Sequence, residues 1–203
     1  MNRPKPISRR EILQASMMLP LMASTPSGFA ETDSRQRPAN DVLVAYFSRS
    51  GNTRVIAGQI HRALGTALFE IQPATPYPED YKETVEQARR ERDNGDKPRL
   101  KAEVPNMAEY RTVFLGFPIW GETAPPLIRS FLSSHDLSGK TLVPFITHGG
   151  YGAGNSLSVL AAHAPRAQLL DAGLIMEADQ ERRTLERVTQ WLSETRPKVR
   201  AAK

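Results

Sequence analysis

The feature that most constrains the fold of this chain is a regular alternation of short apolar runs with helical patterns. Apolar runs rich in Val, Leu, Ile and Phe occupy residues 42–47, 68–71, 112–117, 141–147 and part of 167–175. Segments with helical spacing of apolar residues follow them at 53–64, 81–92, 126–133, 156–164 and 179–194. Short buried strands alternating with helices are typical of a parallel sheet covered on both faces. We therefore predict an α/β fold.

Three of the predicted strands end in unusual loops, and the first loop is rich in hydroxyl and amide side chains. It runs from Ser48 to Thr53 and is followed at once by a predicted helix. A helix N-terminus presents free backbone N–H groups and a partial positive charge, and Gly51 allows close backbone approach. The loop therefore predicts a phosphate site, although a plain turn that caps a helix would have the same composition.

The other two loops carry aromatic residues among glycines and prolines. The third strand ends in GFPIWGETAPP, where Trp120 could stack on a flat ring or anchor the loop on its own domain. The fourth strand ends in THGGYGAGNS, where Tyr151 lies among four glycines. In parallel sheets ligands bind beyond the carboxyl ends of the strands. The three loops together indicate a site for a flat, phosphate-bearing ligand.

Several other phosphate chemistries do not fit these loops. The first loop has neither the lysine of a Walker A motif nor the three glycines of a dinucleotide fingerprint. The chain has no cysteine, which excludes thiolate metal sites and a cysteine nucleophile. A response-regulator receiver domain would need an aspartate at the end of the third strand, which instead ends in Leu115-Gly116-Phe117. No metal site is predicted, and a phosphoryl-transfer enzyme is disfavoured because the loops lack a nucleophile.

Four segments of the chain resemble flavodoxins. They are YFSRSGNT, GFPIW with a downstream Pro-Pro, GKTLVPFITHGGYGAG, and YPEDYKETVEQARRERDNGDKPRL, which is similar to a segment of one bacterial flavodoxin-like branch. The resemblance covers residues 41–176. It implies a flavodoxin-like three-layer sandwich with a five-stranded parallel sheet of order 2-1-3-4-5. It also implies FMN as the cofactor, bound where the strand order reverses.

The resemblance also implies which residues bind FMN. The phosphate would be bound by Ser48, Arg49, Ser50, Gly51, Asn52 and Thr53. One side of the flavin ring would be lined by Pro118, Ile119 and Trp120, with backbone contacts near Gly121 and Glu122. The other side would be flanked by His148, Gly149, Gly150 and Tyr151. Gly121 stands where related sequences often have an aromatic residue, and Tyr151 where Ser or Gly is usual. No catalytic residue is assigned; His148 could donate a proton or simply belong to the loop.

The function implied is that of an FMN-binding redox protein. Its partner would be a redox protein, if it shuttles electrons, or a quinone-like small molecule, if it reduces a substrate. The residues do not decide between these roles, so enzymatic activity stays open, as does the oligomeric state. The alternative is a flavodoxin-fold binding module that has lost its flavin and acts through protein contacts.

The charge of the chain gives no indication of nucleic-acid binding. The net charge is +5, and Arg3, Lys5, Arg9 and Arg10 against Glu11 account for three of these charges. The rest of the chain has 23 basic and 21 acidic residues. This near balance is typical of an ordinary solvated surface, and it differs from the strongly acidic composition that is usual for flavodoxins.

The first thirty residues have the anatomy of an export signal. The adjacent Arg9 and Arg10 precede Ile-Leu and a weakly apolar stretch, which closes on Gly28-Phe29-Ala30. This arrangement resembles a twin-arginine signal, although an amphipathic N-terminal helix with two chance arginines is the alternative. We predict a signal at 1–30, a linker at 31–40, an FMN-binding domain at 41–195 and a basic tail at 196–203. The protein would be periplasmic, without stable membrane insertion after export.

Overall fold

A parallel β-sheet forms the centre of the structure, a computed structural model that describes residues 40–171, 173–177 and 181–201. The predicted export signal and most of the predicted linker lie outside these residues. The strands are β1 Val42–Tyr46, β2 Ala67–Glu70, β3 Thr112–Pro118, β4 Thr141–His148, β5 Gln168–Leu169 and β6 Leu174–Glu177. The sheet order is β2-β1-β3-β4-β5, and β6 also pairs with β4. The predicted α/β fold and its strand order are confirmed.

Helices cover both faces of this sheet. They are α1 Asn52–Leu64, α2 Tyr81–Asn94, α3 Pro126–Ser134, α4 Ser156–His163 and α5 Glu181–Ala201, with a short 3-10 helix at Met107–Glu109. Alternate strand residues point to opposite faces: Val44 packs in the cluster that contains residues of α1 and α5, and Leu43 packs in the cluster that contains residues of α3 and α4. Both clusters contain strand residues, one on each face of the sheet, so the strands form the middle layer of three.

The position of the fifth strand is shared by two short strands rather than one. β5 pairs with Thr141 and Leu142 of β4, whereas β6 pairs with residues from Phe145 to His148. Pro144 lies between the two pairings, and it has no N–H to donate to a neighbouring strand. A Cβ atom at Gly173 would lie 2.9 Å from Cγ of Pro144. The sequence pattern predicted one strand here because the break opposite Pro144 leaves no signal in the apolar run itself.

The last helix continues past its predicted end at residue 194. It runs to Ala201 and includes residues 196–201, which we predicted as part of a basic tail. Thr195 and Val199 are buried, and Arg196 donates a hydrogen bond from Nη2 to the carbonyl oxygen of Ala63 in α1 at 2.7 Å. The helix continues because its apolar face still has α1 to pack against. The other helices and strands from 42 to 163 begin and end within two residues of the predicted bounds.

No helix among the described residues is both long and apolar enough to cross a membrane.

Candidate functional site

The first turn of α1 begins without a side-chain cap. The N-cap residue is Gly51, whose φ of 95° lies in the left-handed region. Ser48 accepts a hydrogen bond from the Gly51 N–H at 3.1 Å, and the Val55 N–H donates to the Gly51 carbonyl at 3.0 Å. The N–H groups of the first three helical residues, 52–54, therefore have no partner within the helix. The first turn contains no acidic residue, so these donors are available to an anion.

A buried hydrogen bond connects this loop to the end of β4. The hydroxyl groups of Thr53 and Thr147 lie 2.9 Å apart, and both residues are almost completely buried. Thr53 was predicted to bind phosphate through its side chain. Its hydrogen bond to Thr147 shows that it holds the start of α1 against the end of β4. The predicted phosphate loop and the glycine-rich loop after β4 are therefore positioned by the same contact.

A tight turn follows β3 and presents Trp120. Trp120 and Thr123 exchange backbone hydrogen bonds across Gly121 and Glu122, which have φ values of 57° and 64°. Positive φ at both central residues is the geometry of a type I′ turn. Arg92 of α2 donates a hydrogen bond from Nη1 to the Gly121 carbonyl oxygen at 3.2 Å. A Cβ atom at Gly121 would lie 2.7 Å from Nη1 of Arg92. The aromatic residue usual at this position in related sequences would meet the Arg92 side chain in this arrangement.

The indole ring of Trp120 is held by two other aromatic rings. Phe47, just after β1, and Tyr77 lie 5.1 Å and 5.0 Å from it between ring centroids, both in edge-on geometry. Tyr77 donates a hydrogen bond to Glu91 at 2.8 Å; its burial, followed by this carboxylate, raises the pKa of the Tyr77 hydroxyl far above its usual value. Trp120 is half-buried and lines a cavity as well. It is thus both a loop anchor and part of a candidate site wall.

The glycine-rich loop after β4 packs on the turn that carries Trp120. The Asn155 N–H donates to the Glu122 carbonyl at 3.1 Å, and a Cβ at Gly154 would lie 1.9 Å from that oxygen. The Gly150 N–H donates to Nδ1 of His148 at 3.1 Å, so a neutral His148 ring carries its proton on Nε2. Tyr151 is 85% exposed.

A cavity of about 520 Å³ lies where these three loops meet, a volume within the range of ligand pockets. The predicted site residues that line it are Arg49, Ser50, Asn52, Pro118, Ile119, Trp120, Gly121, His148 and Gly149. The predicted residues that are not among its lining residues are Ser48, Gly51, Thr53, Gly150 and Tyr151. Gly51 and Thr53 shape the loop that borders the cavity. A second cavity, of about 550 Å³, shares the lining residues Arg49 and Trp120 with the first and is also lined by Ser48.

Helix α2 supplies a wall of the first cavity that sequence reasoning missed. Its lining residues are Tyr81, Thr84, Val85, Ala88, Arg89 and Arg92, and Thr147 of β4 was missed as well. The helix itself was predicted at nearly its observed position. Its few apolar residues do recur at helical spacing, but such a stripe usually indicates core packing. The sequence therefore carried no signal that distinguished a cavity wall from a core contact.

Arg49 in the first loop and Arg54 in the first turn of α1 are both engaged with neighbouring groups. Arg49 donates to the Glu79 carbonyl at 2.8 Å, and its guanidinium lies 5.9 Å from the centre of the Tyr81 ring. Arg54 pairs with Glu70 at 2.7 Å, and this hydrogen bond raises the pKa of Arg54 above its usual value. Arg54 is therefore directed to β2, whereas Arg49 joins the first loop to α2. Among the described residues, no group of side chains is arranged to bind a metal ion.

The fold and the site define an α/β protein with a ligand cavity at the carboxyl ends of its parallel strands, where the strand order reverses. A family model described as flavodoxin matches residues 41–195. The chain belongs to the flavodoxin family. No protein with a curated description matches the chain significantly.

Solved structures agree with this family. A crystal structure from Bacteroides uniformis, described as that of a flavoprotein, is 32% identical, with a TM-score of 0.67 over 76% of this chain and 98% of that one. A second from Bacteroides eggerthii is 34% identical, with a TM-score of 0.63 over 75% and 95%. A flavoprotein from Lactobacillus acidophilus, solved in complex with FMN, is 20% identical, with a TM-score of 0.61 over 75% and 99%. At that identity the last similarity shows the fold alone.

Proposed function

We propose that this protein binds FMN and acts in redox chemistry, either transferring electrons or reducing a small acceptor such as a quinone. The observation that carries the proposal is the convergence of an uncapped helix N-terminus and the Trp120 turn on one cavity. Family membership supports the same cofactor, and one structural neighbour was solved with FMN. The predicted cofactor, FMN, is thus supported by the fold family and by the donors that the site offers.

The phosphate of FMN fits the start of α1. The N–H groups of residues 52–54 have no intrahelical partner, and Ser50 and Asn52 line the cavity beside them. A dianion there is favoured by the partial positive charge of the helix N-terminus, and no carboxylate in the first turn opposes it. Arg49 adds a positive charge at the same rim.

A flavin ring fits between the second and third loops. The Trp120 indole offers an aromatic surface whose position is fixed by Phe47 and Tyr77, so little conformational freedom is lost on binding. His148 and Gly149 line the cavity from the opposite loop. Bound FMN supplies the electron-transfer chemistry, while the protein binds and orients it. A neutral His148 keeps its ring proton at Nε2, because Nδ1 accepts from Gly150.

The proposed phosphate contact is tested by placing a charge at the N-cap. Gly51→Asp and Gly51→Asn put side chains of nearly equal size at the same backbone position, where a Cβ meets no atom within 4 Å. Both variants share the strain of a positive φ. We expect Gly51→Asp to lose measurable FMN binding and Gly51→Asn to retain much more of it, as measured by fluorescence titration of the flavin. Circular dichroism checks that both variants are folded.

Equal FMN affinity of the two variants would remove the phosphate assignment. The flavin-free binding module remains the alternative function, and the colour of the purified protein distinguishes the two. Yellow protein with flavin absorbance supports the proposal, whereas colourless protein that does not respond to added FMN supports the alternative. Oxidation of the reduced, FMN-loaded protein by quinones and by carrier proteins, followed spectroscopically, then separates substrate reduction from electron shuttling.

We further propose that the protein works outside the cytoplasm after export by the twin-arginine route. The support is the arrangement of Arg9 and Arg10 before a weakly apolar stretch, which ends in small residues typical of a signal cleavage site. This route carries folded proteins, so FMN would be loaded before export. An exported protein lacks ready access to nicotinamide cofactors, which favours a carrier protein or a quinone as the redox partner.

A further inference from the structure

Helix α2 turns one continuous stripe of side chains toward the cavity that we assign to FMN. The lining residues Tyr81, Val85, Ala88 and Arg92 follow one another at spacings of four, three and four residues, and Arg89 lies beside them. These spacings place them on one face of a helix. This stripe, which we call the α2 wall, is separate from the three loops in which the predicted FMN contacts lie.

The centre of the α2 wall is apolar and reaches solvent. Val85 is 47% exposed. It is an apolar residue at a solvated position of a helix whose other residues are mostly charged or polar. Ala88, one turn further along, is buried. An apolar side chain that lines a cavity without being covered offers a surface to a flat apolar ligand. Tyr81 adds an aromatic ring at the N-terminal end of the same wall.

The C-terminal part of the α2 wall is cationic. Arg89 is exposed, and none of the described carboxylates forms an ion pair with it. Arg92 pairs with Asp93 at 2.8 Å and holds the Gly121 carbonyl, so it is already engaged. None of the described residues that line this cavity is an aspartate or glutamate. Arg89 therefore presents an unbalanced positive charge next to the apolar centre.

We propose that the α2 wall is a binding site for planar aromatic anions, with the ring on Val85 and the anionic group at Arg89. This inference rests on the proposed function, in which such a molecule would be the small acceptor held beside FMN. A carboxylate, sulfonate or phenolate can accept hydrogen bonds from a guanidinium group, which a neutral aromatic compound does less well. The wall thus selects the class of acceptor by charge.

The test measures binding without any reaction. Naphthalene-2-sulfonate and naphthalene-2-sulfonamide have the same ring system and similar size, but only the sulfonate is charged. Their affinities for the FMN-loaded protein, and for the protein without FMN, are measured by isothermal titration calorimetry. We expect the sulfonate to bind more tightly than the sulfonamide to the FMN-loaded protein.

Arg89→Gln and Arg90→Gln form a matched pair of variants, because each removes one positive charge from neighbouring positions. Arg90 does not line the cavity, and it pairs with Glu86 at 3.9 Å on the exposed side of α2. We expect Arg89→Gln to reduce the preference for the sulfonate by roughly three- to fivefold and Arg90→Gln to leave it unchanged. Val85→Asp should weaken the binding of both ligands.

The outcomes separate this inference from the proposed function. Equal affinity for both ligands, or equal effects of the two arginine variants, would overturn the anion site. Sulfonate binding that FMN abolishes, or a loss of FMN affinity in Arg89→Gln, would instead make the α2 wall part of the cofactor site and also overturn the inference. Failure of the protein to bind FMN would refute the proposed function, while the sulfonate preference of the FMN-free protein would still decide whether Arg89 forms an anion site.

Discussion

Trp120 illustrates how one residue can satisfy two interpretations of the same sequence. Its place in a loop bounded by Pro and Gly allowed either a ligand contact or an anchor on its own domain. The structure packs its ring edge-on against Phe47 and Tyr77 and still leaves it lining a cavity. These functions are compatible because Trp120 is only half-buried, so part of its side chain still lines the cavity. A site wall that is fixed in this way does not have to be ordered when a ligand binds.

The hydrogen bond between Thr53 and Thr147 gives a prediction at the same scale. Replacing one of these buried hydroxyls leaves the other without a partner, which typically costs about 1–3 kcal/mol. We expect Thr53→Val and Thr147→Val each to lower the free energy of unfolding by that amount. The double variant should lose less than the sum of the two, because no unpaired hydroxyl remains. Urea denaturation measures all three.

A surface threonine provides the control for this cycle. Thr189 is exposed and bonds to the carbonyl of Leu185 within its own helix, so Thr189→Val should change stability by less than about 0.5 kcal/mol. Strictly additive effects of the two buried substitutions would show that the Thr53–Thr147 bond does not couple the first loop to β4.

At the scale of elements, the site depends on contacts between loops that belong to different crossovers. The glycine-rich loop touches the Trp120 turn through Gly154, where an added Cβ would lie 1.9 Å from the Glu122 carbonyl oxygen. At Gly152 an added Cβ meets no atom within 4 Å, and both glycines have positive φ. The two positions therefore share the conformational cost of a side chain but differ in the clash.

We expect Gly154→Ala to be clearly more damaging than Gly152→Ala. Each pays about 1–2 kcal/mol for a left-handed alanine, and only Gly154→Ala must also separate the two loops. Its FMN affinity should fall together with its stability, as measured by flavin fluorescence titration and urea denaturation. Equal losses in both variants would show that the contact with Glu122 does not hold the loops together.

For the whole molecule, the prediction concerns where the chain is delivered. If the proposed export signal is recognised through its arginine pair, Arg9→Lys combined with Arg10→Lys should leave the precursor in the cytoplasm. Arg3→Lys makes a similar change outside the pair and should not affect export. Cell fractionation followed by immunoblotting measures the periplasmic share. Periplasmic accumulation of the double variant would contradict the twin-arginine assignment.

Most of the fold could be predicted because local patterns determine it. Short apolar runs alternating with helical spacings indicate a parallel sheet, and residues such as Pro126 at the first position of α3 mark helix starts. The continuation of α5 past residue 194 was missed, because it depends on Val199 finding cover and Arg196 reaching α1. The division of the fifth strand depends on Pro144 and Gly173 meeting across the sheet.

By itself, then, the sequence determined the order of strands and helices and the three loops at the carboxyl ends of β1, β3 and β4. The absence of acidic residues from the first turn of α1 is also a property of the sequence, whereas the structure was needed to show that the helix begins after Gly51 without a side-chain cap. Only the tertiary structure decided that α2 forms a wall of the cavity with Arg89 and Val85, and that Tyr151 stays exposed. The physical reason is that a helical stripe specifies a face, whereas what the face meets depends on packing between elements distant in the chain.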